Sequence, residues 1–180
     1  MKLERLLEQI KGQSQPPVER WNPEFCGELD MRISRNGEWY YQGSPIGRKA
    51  MVKLFASILK REQDRYYLVT PVEKVGIQVE ATPFVVMQAQ HVEGTWIMTN
   101  NLGESAPLDT EHPLDTQSEP DTPLVTWRRN LPARIHQNVM YQWQTEALEK
   151  EGVDSEGRLW LESAGERFLL AQSTELAPGD

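Results

Sequence analysis

The sequence predicts an α+β fold with two lobes of antiparallel sheet, each carrying a packed helix, and a short N-terminal helix ahead of them. Tight-turn signals and strand-like alternation recur along the chain, and between them two segments show helical apolar spacing. The 180 residues suffice for one large domain or two small lobes that share a core. Hydrophobic residues at 38% and charged residues at 26% are ordinary for a globular chain, and no stretch approaches the roughly 20 apolar residues of a membrane helix.

Residues 1–20 are predicted to form an N-terminal helix and a tether. Apolar side chains recur there on one helical face: Leu3, Leu6, Leu7 and Ile10. The run from Gly12 to Pro23 is rich in Gln, Pro and Ser, so it has little to bury and is expected to lie along the surface. A secretory signal needs a continuous apolar core, which these residues do not contain, so we expect no secretory signal.

Residues 21–74 are predicted to form a hairpin–helix–strand lobe. Leu29, Met31 and Ile33 alternate with polar residues, which is typical of a half-buried strand. Asn36-Gly37 then favours a tight hairpin turn, because both residues tolerate a positive φ. The strand before this turn and the one after it should therefore pair.

The helix of this lobe is predicted over residues 48–62, followed by a strand over 66–70. Apolar residues line one wide face of the helix at helical spacing. We expect that face to pack on the hairpin in a common core: Met31, Ile33, Phe55, Ile58 and Leu59. Arg48 opens the helix, where a cation opposes the helix dipole, so it is predicted to serve a tertiary contact or an anion near the junction of the lobes.

The first hairpin suggests a binding surface. A two-residue turn would pair Arg35 with Glu38, and hence Arg32 with Tyr41. The face opposite the apolar one then gathers charged and aromatic side chains: Asp30, Arg32, Trp39 and Tyr41. Such a face can stack a planar ligand or hold a partner side chain by cation–π contact, and Trp39 is expected near the junction of the lobes. The alternative is a second layer of core, with Arg32 stacked on Tyr41 and paired to Asp30.

Residues 75–180 are predicted to form a β-rich acidic lobe with a helix over 138–151 and a C-terminal hairpin. Residues 100–123 contain no Lys or Arg and are expected to form a long, poorly ordered loop around an anchored turn. Segments 29–62 and 138–171 are each predicted to contain a helix and a Trp-bearing hairpin. An internal structural repeat is therefore one interpretation of the chain.

The charge is divided unevenly along the chain. The net charge of −8 comprises +3 over residues 1–75 and −11 over residues 76–180. The acidic part argues against nucleic-acid binding, and the two parts can attract each other within one molecule or across a homodimer. Cys26 is the only cysteine, so no intrachain disulfide forms and a reducing cytoplasm is expected.

Few residues are arranged for chemistry. Glu73 and Lys74 follow a strand, where they can form an acid/base pair or a structural ion pair. Asp109 and His112 lie in a carboxylate-rich run, but a metal site needs three or four ligands in fixed geometry, so a hydrogen-bonded turn is the favoured interpretation. We predict no metal and no cofactor, and the sequence contains no nucleophile or phosphate-loop motif.

Several long patterns resemble the signature of an uncharacterised bacterial family, domain of unknown function 1285. The matching segments follow in order along the chain: 27–33, 36–48, 54–59, 67–75, 83–84, 99–100, Asp109 with 111–114, and 133–135. The resemblance covers roughly residues 16–150. It implies a two-lobed α+β protein with repeated motifs and a suggested part in signal transduction, and it brings no assigned catalytic residue.

The polar positions within the matching segments become candidates for a shared binding cleft: Asp30, Arg32, Arg48, Glu73, Lys74, Asp109 and His112. The first hypothesis is a non-enzymatic bacterial cytoplasmic module that recognises a small anionic ligand or a protein partner, and that binds neither nucleic acid nor a membrane. The alternatives are a small enzyme with Glu73, Lys74 and His112 in acid/base roles, and a self-associating structural subunit whose oppositely charged lobes attract each other.

Overall fold

A computed structural model describes residues 2–10, 16–119 and 121–172. The chain divides into two compact units, Met1–Pro83 and Phe84–Asp180. The mixed α and β content, the two sheets and the short N-terminal helix confirm the predicted fold class.

The described part of the first unit is one six-stranded sheet with two α-helices. Its elements are α1 (Lys2–Ile10), a 3-10 turn (Val18–Arg20), β1 (Phe25–Ile33), β2 (Trp39–Tyr41), β3 (Ser44–Pro45), α2 (Lys49–Ser57), β4 (Leu59–Glu62), β5 (Arg65–Val69) and β6 (Lys74–Val79). The strand order is β3-β2-β1-β6-β5-β4. The pair β1–β6 is parallel and the other pairs are antiparallel, so the sheet is mixed rather than antiparallel throughout.

The parallel pair sets the boundary between the units. β6 hydrogen-bonds to β1 on one side and to β5 on the other. The first unit therefore extends past residue 74, where the sequence suggested that the first lobe ends, and it includes a segment assigned there to the acidic lobe.

The predicted core of the first unit is confirmed. Met31, Ile33, Phe55, Ile58 and Leu59 are each at most 1% exposed. α2 packs on the hairpin, since the rings of Phe55 and Trp39 stack with their centroids 6.4 Å apart and an interplanar angle of 18°. Val18, in the predicted surface tether, is also fully buried, so this part of the tether contributes to the core.

The register of the first hairpin differs from the prediction by one residue. Arg32 pairs with Tyr40, and Ile33 pairs with Trp39. The reason is the turn: Ser34 bonds to Glu38 across a three-residue loop, and Gly37 alone in that loop has a positive φ, of 85°. A one-residue slip moves every return-strand side chain to the other face. Trp39 therefore faces the core.

α2 is shorter than predicted. It ends at Ser57, and β4 occupies residues predicted to continue the helix. β4 pairs with β5 across a two-residue turn in which Gln63 has a φ of 57°. Ile58 and Leu59 are buried in either conformation, so the apolar spacing does not reveal where the helix stops.

Over its described residues, the second unit contains a six-stranded sheet, one helix and a separate hairpin. Its elements are β7 (Phe84–Val92), β8 (Thr95–Asn100), β9 (Ser105–Pro107), β10 (Leu114–Asp115), β11 (Leu124–Arg128), β12 (Leu131–Ile135), α3 (Gln137–Lys150), β13 (Arg158–Ser163) and β14 (Glu166–Gln172). The strand order is β10-β11-β12-β7-β8-β9, with β12 and β7 parallel. α3 buries Met140, Trp143 and Ala147 as predicted, and β13 and β14 form the predicted hairpin.

The acidic stretch is more structured than a loop. It contains β9 and β10, which are the two edge strands of the second sheet. Leu102 and Leu108 within it are 8% and 0% exposed. These leucines anchor a chain segment whose composition suggested that it had little to bury.

Candidate functional site

The strongest candidate surface is the polar face of the first sheet, opposite α2, which we call the outer face. Its members alternate along the strands with core residues. They are Glu28, Asp30 and Arg32 on β1, Tyr40 on β2, Glu62 on β4, Arg65 and Tyr67 on β5, and Lys74, Gly76 and Gln78 on β6, with Glu80 just beyond.

One cluster on the outer face is built around Arg32. Its guanidinium carbon lies 4.3 Å from the centroid of the Tyr40 ring, and its Nη1 lies 2.6 Å from Oε1 of Glu80. The other oxygen of Glu80 accepts a hydrogen bond from the backbone N–H of Arg35. This backbone bond and the Arg32 guanidinium hold the pKa of Glu80 below its ordinary value, so the carboxylate is charged at neutral pH.

The hydroxyl of Tyr40 adds to this cluster. It donates a hydrogen bond of 2.7 Å to a carboxylate oxygen of Glu38. That bond and the negative charge of Glu38 raise the pKa of Tyr40. Tyr40 therefore remains a neutral phenol whose ring face is occupied by a cation.

A second cluster surrounds Tyr67. Lys74 places its Nζ 4.7 Å from the Tyr67 ring centroid and 2.6 Å from Oε1 of Glu62. The guanidinium carbon of Arg65 lies 5.6 Å from the same centroid, and Phe25 meets the ring edge-on. The ring thus contacts two cations and one aromatic side chain.

Gly76 lies beside the Tyr67 cluster and has a steric role. Arg65 also pairs with the carboxylate of Glu28, and a Cβ built on Gly76 would lie 2.6 Å from that carboxylate. A side chain at this position of β6 would therefore displace Glu28 from its place over the sheet.

The predicted hairpin face is corrected by the register. Asp30 and Arg32 lie on the outer face, but Trp39 is 3% exposed in the core and Tyr41 shares the side of Met31. The aromatic partner of Arg32 is therefore Tyr40 and not Tyr41. A three-residue loop with Gly in the left-handed conformation is another common hairpin, so Asn36-Gly37 alone does not decide the register.

Glu73 and Lys74 do not act on each other. Glu73 binds α1: its Oε1 lies 3.4 Å from Nη2 of Arg5, and its Oε2 accepts a hydrogen bond from Gln9. Lys74 binds Glu62 and Tyr67 on the outer face. Each side chain thus has its own structural partners.

Arg48 lines a groove between α1 and α2, which we call the helix groove. The groove has a volume of about 570 Å³. It is lined by Glu4, Leu7 and Glu8 of α1, by Ala50, Met51 and Leu54 of α2, and by Arg48 just before α2. The Arg48 side chain has no acceptor atom and gives α2 no capping hydrogen bond.

Asp109 and His112 form a turn in the second unit. Oδ1 of Asp109 accepts hydrogen bonds from the backbone N–H groups of Glu111 and His112 and contacts Nδ1 of His112 at 2.8 Å. Burial pushes the pKa of Asp109 upward, but the bonds to His112 outweigh it and hold the pKa below its ordinary value. Within residues 2–10, 16–119 and 121–172, no group of three potential ligands is arranged to hold a metal ion.

Asp154 forms a second turn in which a carboxylate accepts hydrogen bonds from backbone N–H groups that follow it. The sequence analysis did not predict this turn. Its carboxylate accepts hydrogen bonds from the backbone N–H groups of Glu156 and Arg158 and from the indole N–H of Trp160. The backbone bond from Arg158 and the bond from Trp160 lower the pKa of Asp154 to about 2. The carboxylate fixes the entry to β13.

The fold and these contacts define a two-unit mixed α/β protein whose candidate surface is an exposed, polar sheet face rather than a closed catalytic pocket. Residues 16–82 match the N-terminal domain and residues 83–170 the C-terminal domain of the DUF1285 family, a family of unknown function. The chain belongs to this family, as the sequence patterns suggested.

Two solved structures are similar to the chain. A DUF1285 family protein from Silicibacter pomeroyi DSS-3 is 40% identical, with 97% of each chain covered and a TM-score of 0.81. A DUF1285 family protein from Shewanella baltica OS155 is 26% identical over 66% of this chain and 92% of that one, with a TM-score of 0.56. No curated protein matches the chain. In the part of the chain that the structure describes, none of the helices has the length and apolar character needed to cross a bilayer.

Proposed function

We propose that the chain is a non-enzymatic interaction module that binds a protein partner through the outer face of its first sheet. The observation that carries the proposal is the exposure of the paired charges on this face. Arg32 and Glu80 are 36% and 44% exposed, and Arg65 and Glu28 are 54% and 52% exposed. Arg and Tyr are enriched among the residues that dominate protein interfaces.

A protein partner suits this face better than a small anion. Arg32, Arg65 and Lys74 each already have a carboxylate partner within the first unit. A small anion would have to compete with these carboxylates, whose negative charge also makes the potential at each cation less positive. A protein surface that brings both signs of charge can add to these pairs without breaking them, which favours specificity and fast association.

An acid/base enzyme receives less support. General acid–base catalysis needs the two groups to converge on one reacting atom within hydrogen-bond distance. Glu73 is engaged by α1 and Lys74 by the outer face, so the two do not form a shared site. A part in cytoplasmic signalling, which the family resemblance suggested, belongs to this proposal because an exposed charged face is suited to reversible contacts.

The proposal is tested by site-specific crosslinking in cells followed by reconstitution. A photoreactive phenylalanine replaces Gln78, which is exposed on the outer face, and a control replaces Lys53, which is exposed on α2. We expect a discrete heterologous adduct from position 78 that position 53 does not give. An adduct with a second copy of the chain would support the self-association alternative instead.

The partner identified in this way is then purified and titrated. Arg32→Glu should weaken binding at least tenfold, because it breaks the pair with Glu80 and reverses the charge beside Tyr40. Arg20→Glu makes the same charge change at an exposed position of the same unit and should leave the Kd within twofold. Equal effects of the two variants, or equal adducts at positions 78 and 53, would overturn the proposal.

A further inference from the structure

The helix groove is a second surface, separate from the outer face. α2 packs on the core side of the first sheet through Phe55 and Trp39, so its groove lies away from the polar face. The volume of about 570 Å³ lies within the range of roughly 300–1,000 Å³ typical of binding pockets.

The floor of the groove is an apolar stripe that the core does not use. α1 buries Leu6 completely, while Leu7 beside it lines the groove half-buried. α2 likewise commits Phe55 to the core, while three other apolar residues line the groove: Ala50, Met51 and Leu54. Each helix therefore has one apolar stripe facing the sheet and another facing the groove. Met is well suited to such a floor because its flexible thioether adapts to a partner.

The rim of the groove has an asymmetric charge. Glu4 and Glu8 lie one turn apart on α1, and Arg48 stands at the start of α2. Among the described side chains, no oppositely charged group lies within 4 Å of any of these three. Glu4, in the first turn of α1, is favoured by the helix dipole, whereas Glu8 one turn later adds a like charge, which weakens an isolated helix.

We propose that the helix groove binds an amphipathic helix of a partner protein, with basic residues directed towards Glu4 and Glu8 and an acidic residue directed towards Arg48. Because the rim has two carboxylates and one cation, it disfavours an anionic amphiphile. It favours a helical segment whose polar flank is mainly basic. α1 and α2 each have 9 residues, which corresponds to a length of about 13 Å, so a partner helix of roughly three turns matches the floor. Apolar side chains at helical spacing would fill the floor in the manner of other helix-in-groove complexes.

The test uses synthetic peptides and the full chain. One peptide is an amphipathic helix of Leu and Lys with a single Asp on the flank opposite the lysines. A second has the charges exchanged, with Glu and a single Arg, and a third is a scrambled form of the first with no apolar face. In fluorescence anisotropy near physiological salt, we expect the first to bind at least tenfold more tightly than either of the others.

Two variants locate the binding. The double variant Glu4→Lys, Glu8→Lys should reverse the preference between the first two peptides. Met51→Glu should abolish binding of the first peptide, while Lys53→Glu, an exposed position on the same helix, should preserve it. Circular dichroism of each variant establishes that α1 and α2 are intact, and Arg48→Glu provides a third variant if α1 is lost in the double variant. Equal binding of the first and third peptides, or binding that survives Met51→Glu, would overturn the proposal, as would the absence of binding at 1 mM peptide.

Discussion

The two sheets have the same topology but use their polar side chains differently. In each, a three-stranded meander is followed by a second meander whose last strand lies parallel to the first strand of the sheet. In the first unit, α2 lies between the meanders; in the second, α3 follows both, and a hairpin is added after it. The repeat is thus one of sheet topology, and it does not relate segments 29–62 and 138–171, whose hairpins occupy different positions.

In the second unit, two buried polar side chains bond the closing hairpin β13–β14 to the rest of the unit. Ser163 is 0% exposed, accepts a hydrogen bond from the backbone N–H of Trp96 and donates one to the carbonyl of Leu108. Thr116 donates to the carbonyl of Leu169 in β14. On the outer face of the first sheet, by contrast, the pairs Arg32–Glu80 and Arg65–Glu28 are open to solvent. Buried bonds of this kind hold the hairpin in place, whereas exposed pairs add little stability and leave a surface free for recognition.

The largest expected effect comes from the aromatic residues at the centre of each unit. Phe55→Ala in the first unit and Trp143→Ala in the second should each lower the free energy of unfolding by about 3–5 kcal/mol, because both side chains are 0% exposed. Denaturant unfolding monitored by circular dichroism measures both. A loss below about 1 kcal/mol in either variant would contradict the packing described for that unit.

The next effect tests the buried bonds that hold the hairpin. Ser163→Ala removes the partner of the Trp96 N–H and of the Leu108 carbonyl, and neither group gains a new one. We expect a loss of about 1–3 kcal/mol in denaturant unfolding, the usual cost of leaving buried polar groups unsatisfied. Ser44→Ala, at an exposed position of β3, is the control and should change stability by less than about 0.5 kcal/mol. Equal small effects would remove the contrast between the two sheets.

A smaller effect should appear as a pH dependence. The folded-state pKa of Asp109 is depressed, so the stability that this carboxylate contributes is present above its unfolded pKa of about 3.9 and is lost as the pH falls through the folded value. Asp109→Asn should therefore cost about 1 kcal/mol at pH 7, and the difference from the unsubstituted chain should shrink below pH 4. A difference that grows on acidification would contradict the assigned turn.

The local pattern of apolar residues predicted helices and strands well where its period was clearly that of a helix or of a strand. The helix over 138–151, the strand at 66–70 and the closing hairpin were all expected and are confirmed. The parallel pairing of β1 with β6 joins segments far apart in the chain, and no local signal marks such a contact. That pairing extended the first unit beyond residue 74.

The candidate site was predicted only in part, because its geometry depends on one turn. Asp30, Arg32 and Lys74 lie on the outer face. The loop after Ser34 is one residue longer than predicted, so Tyr40 lies on the outer face in place of Trp39, which faces the core. Tyr67 was missed because one of its two cations, Lys74, comes from the neighbouring strand β6. Arg48 and His112 belong to different units, so a cleft that they share remains a prediction.

The smallest expected effect on stability is also the most informative about function. Arg32→Ala removes both the ion pair with Glu80 and the contact with Tyr40, yet the two charged side chains are 36% and 44% exposed, where water and salt screen them. Exposed pairs typically contribute at most about 1 kcal/mol, so the midpoint of denaturant unfolding should move little. The backbone N–H of Arg35 continues to hold Glu80 in place, which keeps the carboxylate from becoming uncompensated. If the variant instead lost more than about 2 kcal/mol, Arg32 would be part of the structural core of its unit, and the outer face would lose its claim to be a recognition surface. A residue of a binding face should change the affinity for the partner strongly and the free energy of unfolding very little.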